Sequence, residues 1–484
     1  MAARNAYLVA AAGRIFDYLN IKTAILRKEF IPMASEKVVI IGASAAGMMA
    51  AVTLRKRFPE KKVTVIRKAS RTPVPCGIPY IYGIMGSVEK DLIPDQMFID
   101  LGIEIIVREV SKIDRSAKQV IFSDDSSIAY DKLIIGTGSK PFVPPLPGID
   151  QDGVFTISKE PEALQKVYSA LEKARNVVVI GGGFIGVEMA EQIAVMGKKG
   201  DIEKKVTIVE MLPHCLMLAC EEEFCIKIEK ELENMGITIK TGAQASELTG
   251  SGTVDGVKLA DGEVLPADVV IIGIGAQANI DLAVECGLEA DPRSGIKIDE
   301  FMRTADPDIL AAGDCASKFS FITGKPSGIR LASVACSEGM LAACNLDQPQ
   351  RATLGALGAF STMVGKVAVA AAGLTTKAAT DEGIDFVIGE VVTPNRHPGH
   401  LPGSIPDMKL KLLFRRDNGV VIGGHVSGGE AAADMVNIIA VAIQARLTAD
   451  NLATMQYGTH PLLTASPLSY HVMTAAENAA LQLS

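Results

Sequence analysis

The sequence lacks an excess of positive charge, a long apolar run and a regular framework of cysteines. Lys and Arg number 48 against 56 Asp and Glu, giving a formal net charge of -8 with no basic stripe, so nucleic-acid binding is excluded. No uninterrupted apolar stretch reaches the roughly 18 to 20 residues of a membrane-spanning helix, so no membrane span is expected. The eight cysteines are scattered along the chain, which favours a reducing cytoplasm over a secreted disulfide scaffold.

The length and composition predict a folded chain of several domains. With 484 residues, of which 48% are hydrophobic and 21% charged, the chain can build about two or three domains with substantial cores. Met33 begins a short polar segment just ahead of an apolar strand and reads like a natural start. Residues 1–36 are therefore expected to be an N-terminal extension outside the native fold, produced by an upstream start. An amphipathic presequence over residues 1–32 is the alternative.

Two glycine-rich turns each lie between an apolar strand and a helix. The first turn, residues 42–47, follows the β-branched residues 38–41, and the second, residues 181–186, follows a similar run over 177–180. A turn of this kind lets backbone N–H groups at a helix N-terminus approach a pyrophosphate. The two turns therefore predict two dinucleotide-binding units.

Other predicted strands end in small or acidic residues that suit a nucleotide site. One buried strand runs into Thr137 and Gly138, and the prolines that follow form a stiff connection. Another apolar strand ends in Gly313 and Asp314, where the chain returns to the first unit. The predicted fold is α/β, with two Rossmann-like dinucleotide-binding domains and a C-terminal α+β domain. The expected boundaries are residues 37–150 and 290–350 for the first domain, 151–289 for the second and 351–484 for the third.

One cysteine stands apart in a turn-rich segment. The segment around it reads Pro75-Cys76-Gly77-Ile78-Pro79-Tyr80. The start of a helix there would lower the pKa of the Cys76 thiol, and the thiolate is the reactive form. The segment predicts sulfur redox chemistry, with a buried structural cysteine as the alternative. No metal site is predicted, because Cys215, Cys220 and Cys225 follow at five-residue steps that spread them around a helix axis, as packing residues.

Taken in this order, these features resemble the pyridine nucleotide-disulfide oxidoreductase family of flavoproteins over residues 37–480. A lone cysteine followed by Gly-Ile-Pro-Tyr resembles the branch of coenzyme A disulfide reductases, NADH:polysulfide reductases and NADH oxidases or peroxidases. Relatives with an internal redox disulfide carry a Cys-x4-Cys pair, whereas Ile81 stands five residues after Cys76 here. The resemblance implies FAD and NADH as cofactors, with NADPH disfavoured, and coenzyme A as a candidate substrate or ligand. It also implies a homodimer formed through the C-terminal domain.

The resemblance assigns one set of residues to FAD. The set comprises Gly42, Ser44, Ala45, Ala46, Gly47, Arg67, Lys68, Pro75, Val110, Thr137, Gly138, Asp314, Leu331 and Ala332. Ser44 replaces a glycine of the family pattern, and Arg67 stands where a ribose-binding glutamate is usual. For Arg67 and Lys68, contact with the adenosine end of FAD and a solvated charge pair are the alternatives. Asp314 is expected to bind the ribityl chain, with a helix N-cap as the alternative.

A second set is assigned to the nicotinamide cofactor. The set comprises Gly181, Gly183, Phe184, Ile185, Gly186, Glu188, Glu210 and Gly275. Glu210 is expected to bind the adenosine ribose hydroxyls, and its carboxylate would repel the 2′-phosphate of NADPH. Phe184 is expected to shield the flavin until NADH arrives, with ordinary helix packing as the alternative.

The predicted reaction moves a hydride from NADH to FAD and then electrons to Cys76, which cycles between thiolate and an oxidised sulfur state. The acceptor is a disulfide, coenzyme A persulfide or polysulfide. The family's dimerisation domain brings residues from the partner subunit to the flavin, so Tyr457 or His460 is the expected proton donor.

Two other functions stay open. One is an NADH oxidase or peroxidase that reduces oxygen or hydrogen peroxide through a Cys76 sulfenic acid. The other is an NADH-oxidising flavoprotein subunit that passes electrons to a partner protein and leaves Cys76 unused.

Overall fold

The computed structural model describes residues 35–484 and confirms the α/β fold class. All but the last two residues of the expected N-terminal extension, residues 1–36, lie outside the described part of the chain. Within residues 35–484, no helix combines the length and the apolar character needed to cross a membrane.

The strands are spread over the whole described chain. They are β1 (Lys37–Ile41), β2 (Lys62–Arg67), β3 (Glu104–Val107), β4 (Val110–Asp114), β5 (Gln119–Phe122), β6 (Ser127–Ala129), β7 (Lys132–Ile135), β8 (Ser139–Pro141), β9 (Val154–Thr156), β10 (Asn176–Ile180), β11 (Lys205–Val209), β12 (Thr238–Lys240), β13 (Ala245–Gly250), β14 (Val254–Leu259), β15 (Val264–Pro266), β16 (Val269–Ile272), β17 (Ala276–Ala278), β18 (Ala290–Asp291), β19 (Gly295–Ile296), β20 (Ile309–Ala311), β21 (Ala359–Val364), β22 (Val367–Gly373), β23 (Phe386–Thr393), β24 (Met408–Arg415) and β25 (Val421–Gly428).

The helices connect and cover these strands. They are α1 (Ala45–Arg57), α2 (Ile78–Tyr80), α3 (Gln96–Ile99), α4 (Pro161–Lys173), α5 (Phe184–Lys199), α6 (Glu222–Asn234), α7 (Asp281–Glu285), α8 (Ala332–Cys344), α9 (Thr376–Asp381), α10 (Ala431–Gln444), α11 (Ala449–Ala453) and α12 (His471–Leu483). A π-helical turn spans Ile81–Met85, and 3-10 turns span Val88–Asp91 and Pro467–Ser469.

Two parallel five-stranded sheets hold the two glycine-rich turns. The first has the order β20-β7-β1-β2-β3 and the second the order β12-β11-β10-β16-β9, and every neighbouring pair in both is parallel. One face of each sheet packs on helices and the other on a three-stranded antiparallel sheet, β4-β5-β6 in the first unit and β13-β14-β15 in the second. Burial on both faces explains why β1 and β10 are continuous apolar runs. In each sheet the glycine turn follows the central strand, where ligands bind in folds of this kind.

The C-terminal part forms an antiparallel sheet with the order β21-β22-β25-β24-β23. Helix α12 lies directly on β23, since a Cβ at Gly389 would come within 1.8 Å of the Ala475 carbonyl oxygen. Helix α10 packs on the same sheet through buried aliphatic side chains such as Ile439 and Ile443. The C-terminal part is therefore α+β, as expected. Small strand residues such as Gly389 allow its helices to pack closely on the sheet.

A buried polar contact ties the second unit to the C-terminal sheet. The Glu221 carboxylate accepts hydrogen bonds from the backbone N–H and the hydroxyl of Thr376, at 2.6 and 2.7 Å. The buried Lys411 forms ion pairs with Glu221 at 3.5 Å and Glu223 at 3.1 Å. Because a buried charge is tolerated only with such partners, these contacts fix how the two units are oriented.

Candidate functional site

The first glycine turn has the backbone geometry of a phosphate cradle. Gly42 has a φ of +113°, and a Cβ there would lie 2.0 Å from the Gly136 carbonyl oxygen. A Cβ at Gly47 would lie 1.9 Å from the Gly42 carbonyl oxygen. Ser44 is the N-cap of α1, yet its side chain makes no capping hydrogen bond, so the first N–H groups of the helix stay free for an anion. These residues fit the pyrophosphate of FAD.

The second turn repeats this geometry around α5. Gly181 has a φ of +107°, and a Cβ at Gly186 would lie 1.8 Å from the Gly181 carbonyl oxygen. A Cβ at Gly183, by contrast, would meet no atom within 4 Å. The first and last glycines are therefore required by packing, whereas Gly183 faces open space at the helix N-terminus. This arrangement fits the pyrophosphate of a second dinucleotide.

Glu210 lies just after β11 and is held against this turn. Its Oε2 atom accepts a hydrogen bond from the Gly182 N–H at 2.5 Å, and its Oε1 atom accepts one from the Leu212 N–H at 2.7 Å. The fixed Glu210 carboxylate is suited to accept hydrogen bonds from ribose hydroxyls.

Two further residues of the set predicted for the nicotinamide cofactor lie at the surface near the turns. Ile185 is 42% exposed, and Gly275 adopts a φ of +109°.

Asp314 lies after β20, beside the end of β7 in the first sheet. Its Oδ2 atom accepts a hydrogen bond from the Ser139 hydroxyl at 2.8 Å, and the Lys159 ammonium lies 3.6 Å away. The preceding Gly313 donates its N–H to buried Glu338 at 2.8 Å. Ser139 and Lys159 were not predicted. In the sequence, Ser139 directly follows the predicted Thr137-Gly138 pair, whereas Lys159 belongs to no recognised motif.

Four other predicted FAD positions also lie along this edge of the first sheet. The Thr137 hydroxyl donates to the Asn279 carbonyl at 2.7 Å, just ahead of Gly138, which has a φ of +70°. Leu331 is the N-cap of α8 and makes no side-chain capping bond, so the N–H groups that begin at Ala332 remain free for a ligand. The ends of β7 and β20 and the N-terminus of α8 thus lie together at this edge of the first sheet.

Arg67 is buried and engaged in the protein interior. Its guanidinium donates to both Asp95 carboxylate oxygens, at 2.6 and 2.5 Å, and to the carbonyls of Ala69 and Ser70. The alternative of a solvated charge pair is therefore wrong for Arg67, which braces the turn after β2. Lys68 is exposed and pairs with Glu109 at 3.1 Å, as the solvated alternative describes.

The Cys76 loop is held by backbone pairing with residues 91–93, at the end of the 3-10 turn. The Val74 N–H donates to the Asp91 carbonyl at 2.9 Å, and the Ile93 N–H donates to the Thr72 carbonyl at 2.8 Å. Cys76 keeps solvent exposure, in agreement with a reactive rather than a structural cysteine. Helix α2 follows Cys76 but has only three residues before the π-helical turn.

The pKa of Cys76 differs from the prediction. Desolvation by the surrounding protein and the Glu188 carboxylate raise the pKa of this thiol, while the Lys159 ammonium opposes them. The expectation that the chain itself lowers this pKa is wrong. Its physical reason is that the surrounding protein desolvates the thiol and the Glu188 carboxylate lies nearby, while α2 has only three residues to supply a dipole.

Glu188 projects from the second turn of α5. It accepts a hydrogen bond from the Thr362 hydroxyl at 2.8 Å. Burial raises its pKa to about 7, against the opposing effect of this hydrogen bond. Burial and, after it, the Glu188 carboxylate raise the pKa of Tyr80 to about 12. The charge of Glu188 therefore acts on the Cys76 segment from the helix of the second turn.

The predicted proton donors lie in the C-terminal part. The Tyr457 hydroxyl donates to the Pro467 carbonyl at 2.8 Å, and its ring stacks on Tyr470 at 4.3 Å. His460 is exposed and bonds locally within its own loop. Within one described protomer, no hydrogen bond joins either residue to Cys76.

The three evenly spaced cysteines are packing residues of the core. Cys215, Cys220 and Cys225 are at most 3% exposed and belong to one hydrophobic cluster. Only Cys225 lies in a helix, α6, so the helical stretch is shorter than expected. Burial raises the pKa of the Cys225 thiol to about 12, which keeps it protonated and inert.

Asp91 supports the Cys76 loop with a buried carboxyl group. Its Oδ1 atom lies 1.9 Å from the position that a Cβ at Gly77 would take. The side chain is 3% exposed, and its Oδ2 atom has no hydrogen-bond partner within residues 35–484. Burial raises the pKa of Asp91 from 3.8 to about 6.

Replacing Asp91 by asparagine is expected to stabilise the protein above pH 6. A pKa raised in the folded state favours the protonated form, so its stabilising contribution is lost as the pH rises from 3.8 through about 6. Asp91→Asn should raise the thermal midpoint by about a few degrees above this window and change it little below it. Thermal unfolding at several pH values measures this, and an unchanged midpoint above the window would refute it.

Comparisons with known proteins identify the family to which these turns and sheets belong. The model of the pyridine nucleotide-disulphide oxidoreductases matches residues 36–339, and that of their dimerisation domain matches residues 359–468. A NADH oxidase of Methanocaldococcus jannaschii is 30% identical over 93% of this chain and 99% of its own. A NAD(P)H coenzyme A polysulfide/persulfide reductase of Pyrococcus horikoshii is 31% identical over 82% of this chain and 88% of its own.

A solved structure shows the same architecture. The NAD-dependent persulfide reductase from A. fulgidus superposes with a TM-score of 0.85 at 28% identity, and the match covers 92% of this chain and 83% of that one. The family uses FAD and NAD(P)H, in agreement with the two cradles. This chain is a member of the pyridine nucleotide-disulphide oxidoreductase family, with the family's dimerisation domain at its C-terminal end.

Proposed function

We propose that this protein oxidises NADH and reduces a disulfide, coenzyme A persulfide or polysulfide through FAD and Cys76. The observation that carries the proposal is the position of Cys76. This exposed thiol lies within electrostatic reach of Asp314, at the edge of the first cradle, and of Glu188, on the helix of the second. The relative from P. horikoshii supports the same substrate class by its name.

The two cofactors are assigned to separate units of the chain. Residues 37–150 and 290–350 would hold FAD through the first glycine turn, with Asp314 as acceptor for the ribityl hydroxyls. Residues 151–289 would hold NADH through the second turn. When bound, FAD accepts a hydride from NADH and supplies two electrons to sulfur. The interface domain, residues 351–484, would form a homodimer and bring the partner's His460 or the partner's Tyr457 to Cys76 as proton donor.

The overall reaction balances with one NADH for each disulfide reduced. NADH, a proton and RSSR′ give NAD⁺, RSH and R′SH, so the S–S bond takes the electron pair of the hydride. Cys76 attacks one sulfur as thiolate and is regenerated when its mixed disulfide is reduced. The test is anaerobic turnover with coenzyme A disulfide and polysulfide, with thiol and NADH counted together. Two thiols per NADH from the disulfide support the proposal, and NADH oxidation without thiol release refutes it.

Glu210 favours NADH over NADPH in this proposal. Its carboxylate is fixed at the ribose end of the second cradle, and the exposed side chain that follows is Met211 rather than arginine. A 2′-phosphate would meet a negative charge and no cation there.

Removing the negative charge of Glu210 and adding an arginine beside it is expected to shift the nucleotide preference toward NADPH. The double variant Glu210→Ala, Met211→Arg should raise the ratio of kcat/KM for NADPH to that for NADH by about 10-fold or more, because arginine pairs with the phosphate. Steady-state kinetics with both nucleotides measure the ratio. Val264→Arg adds the same charge at an exposed strand position and serves as the control. An equal shift in the control would show that the effect is non-specific.

A second candidate is an NADH oxidase or peroxidase. The relative from M. jannaschii, which matches nearly its whole length, is named a NADH oxidase. The two reactions share every residue up to the final acceptor. Oxidation of NADH with oxygen or hydrogen peroxide, faster than with any sulfur acceptor, would favour this candidate.

A further inference from the structure

A buried ion pair lies next to the strand end that carries Asp314. The Lys318 ammonium and the Glu338 carboxylate are 3.1 Å apart, and their side chains are only 3% and 7% exposed. The carboxylate also accepts a hydrogen bond from the Gly313 N–H at 2.8 Å. The ammonium also donates to the carbonyls of Gly313 at 2.6 Å and of Ala316 at 3.0 Å, so each of its three N–H donors has a partner. The pair therefore holds both the N–H and the carbonyl of Gly313, the residue before Asp314.

The same stretch of α8 packs against the first glycine turn. Gly339 directly follows Glu338, and a Cβ at Gly339 would lie 2.1 Å from the Ala46 carbonyl oxygen. Gly313 approaches the same residue, since a Cβ at Gly313 would lie 2.8 Å from the Ala46 Cβ. The end of β20, the start of α1 and the middle of α8 are thus in direct contact. These are three of the elements that carry the residues predicted to bind FAD.

Folding stability alone gives a weak reason for this ion pair. Removing two charges from water costs about as much free energy as their attraction returns, so an apolar pair of similar size is often equally stable. Burial raises the pKa of the Glu338 carboxyl, whereas the Lys318 ammonium favours its charged form. What an apolar pair could not supply is the set of hydrogen bonds to both sides of Gly313. The ion pair therefore fixes the backbone from which the Asp314 side chain extends.

We propose that Lys318 and Glu338 are positioning residues for FAD, which hold the Asp314 carboxylate toward the ribityl chain by fixing the peptide groups of Gly313. This inference rests on the assignment of Asp314 to the ribityl hydroxyls under the proposed function. Because the pair acts through Asp314, its effect on FAD should be present only while that carboxylate is present.

The test follows the release of FAD from the flavin-loaded protein, measured by flavin fluorescence after dilution. The double variant Lys318→Met, Glu338→Leu removes both charges and keeps the side chains similar in size. It should release FAD about 10-fold faster or more, because the charge-assisted hydrogen bonds that fix Gly313 are lost. Its thermal midpoint with FAD in excess should stay within about 3 °C of that of the unmodified protein, since the fold loses little by the exchange.

A milder variant and a neighbouring control accompany the double variant. Glu338→Gln keeps the size of the side chain and an acceptor for the Gly313 N–H but loses the charge that pairs with Lys318, so a smaller acceleration is expected. Ser337→Ala changes the exposed neighbour on α8 and should release FAD at the unmodified rate. The unmodified rate in the double variant, or in Glu338→Gln where the double variant does not fold, would overturn the inference. An equal acceleration in Ser337→Ala would also overturn it.

A double-mutant cycle with Asp314 separates positioning from general packing. Asp314→Ala removes the carboxylate that the pair is proposed to position. In this background, the exchange of Lys318 and Glu338 should accelerate FAD release by less than about 2-fold, because residues that act through one another are not additive. An acceleration as large as in the presence of Asp314 would show a purely structural role and contradict the inference.

The outcome is separable from that of the proposed function. If Cys76→Ser retained full turnover with sulfur acceptors, the proposed route of the electrons would fail, yet the rates of FAD release and their dependence on Asp314 would be the same. If Asp314→Ala released FAD faster while the variants of the pair did not, the proposed function would stand and the role of Lys318 and Glu338 would fail. If Asp314→Ala released FAD at the unmodified rate, the assignment of Asp314 and this inference would both fail.

Discussion

Replacing Cys76 by serine is expected to lower turnover with sulfur acceptors by about 10³-fold or more, while reduction of the flavin by NADH continues at its normal rate. Serine has nearly the same size, so the loop braced by Asp91 and Gly77 should keep its conformation. The hydroxyl, however, cannot form a disulfide with the acceptor. The two half-reactions are measured separately by following flavin absorbance after rapid mixing, first with NADH and then with the acceptor.

The control for this variant is another thiol. Cys286 is half-buried in the same protein, after α7, and no proposed step uses it. Cys286→Ser should retain both half-reactions. If Cys76→Ser also retained rapid transfer to sulfur acceptors, the electrons would leave the flavin by another route and the assignment of Cys76 would be wrong.

Replacing Gly183 by valine is expected to weaken the binding of NADH and of NAD⁺ by about 10- to 100-fold without destabilising the fold. The added side chain would occupy the open space at the N-terminus of α5 and keep the nucleotide from the backbone N–H groups. The loss of charge-assisted hydrogen bonds to phosphate is worth about 1.5 to 3 kcal/mol. Isothermal titration with NAD⁺ measures the affinity, and flavin content with the thermal midpoint reports on the fold.

Gly186→Val provides the contrasting variant three residues further along. Its Cβ would lie 1.8 Å from the Gly181 carbonyl oxygen, so the helix must move away from the strand. This variant should lower the thermal midpoint as well as the affinity, since overpacking costs about 1 to 3 kcal/mol. If Gly183→Val bound NAD⁺ as tightly as the unmodified protein, the second turn would not be the pyrophosphate site.

The glycine turns could be predicted from the sequence because their structure is local. A strand, a turn of small residues and a helix lie within a short segment, and close packing forces Gly42 and Gly186 to be glycine. The parallel pairing of β1 with β2 and of β10 with β11 follows from two such units. The same local reasoning singled out Cys76, which stands in the short motif Pro75-Cys76-Gly77-Ile78-Pro79-Tyr80.

The electrostatics of the site could not be predicted in the same way. Lys159, Asp91 and Thr362 come to the Cys76 region or to Glu188 from elements far apart in the chain, and their chemistry depends on that packing. From the sequence we therefore expected a lowered pKa for the Cys76 thiol, whereas burial and Glu188 raise that pKa. The interpretation of Arg67 as part of a solvated charge pair was also wrong. Nothing in its own segment of the sequence indicates that the distant Asp95 pairs with it.

The measurement that tests the central claim most directly is the reoxidation of the NADH-reduced protein by four acceptors in the absence of other reductants. The reduced protein is mixed rapidly and anaerobically with coenzyme A disulfide, polysulfide or hydrogen peroxide, and separately with air-saturated buffer. The account predicts that a sulfur acceptor restores the oxidised flavin spectrum fastest. Faster reoxidation by peroxide or oxygen would contradict it and identify an oxidase or peroxidase, and slow reoxidation by all four would indicate a protein acceptor.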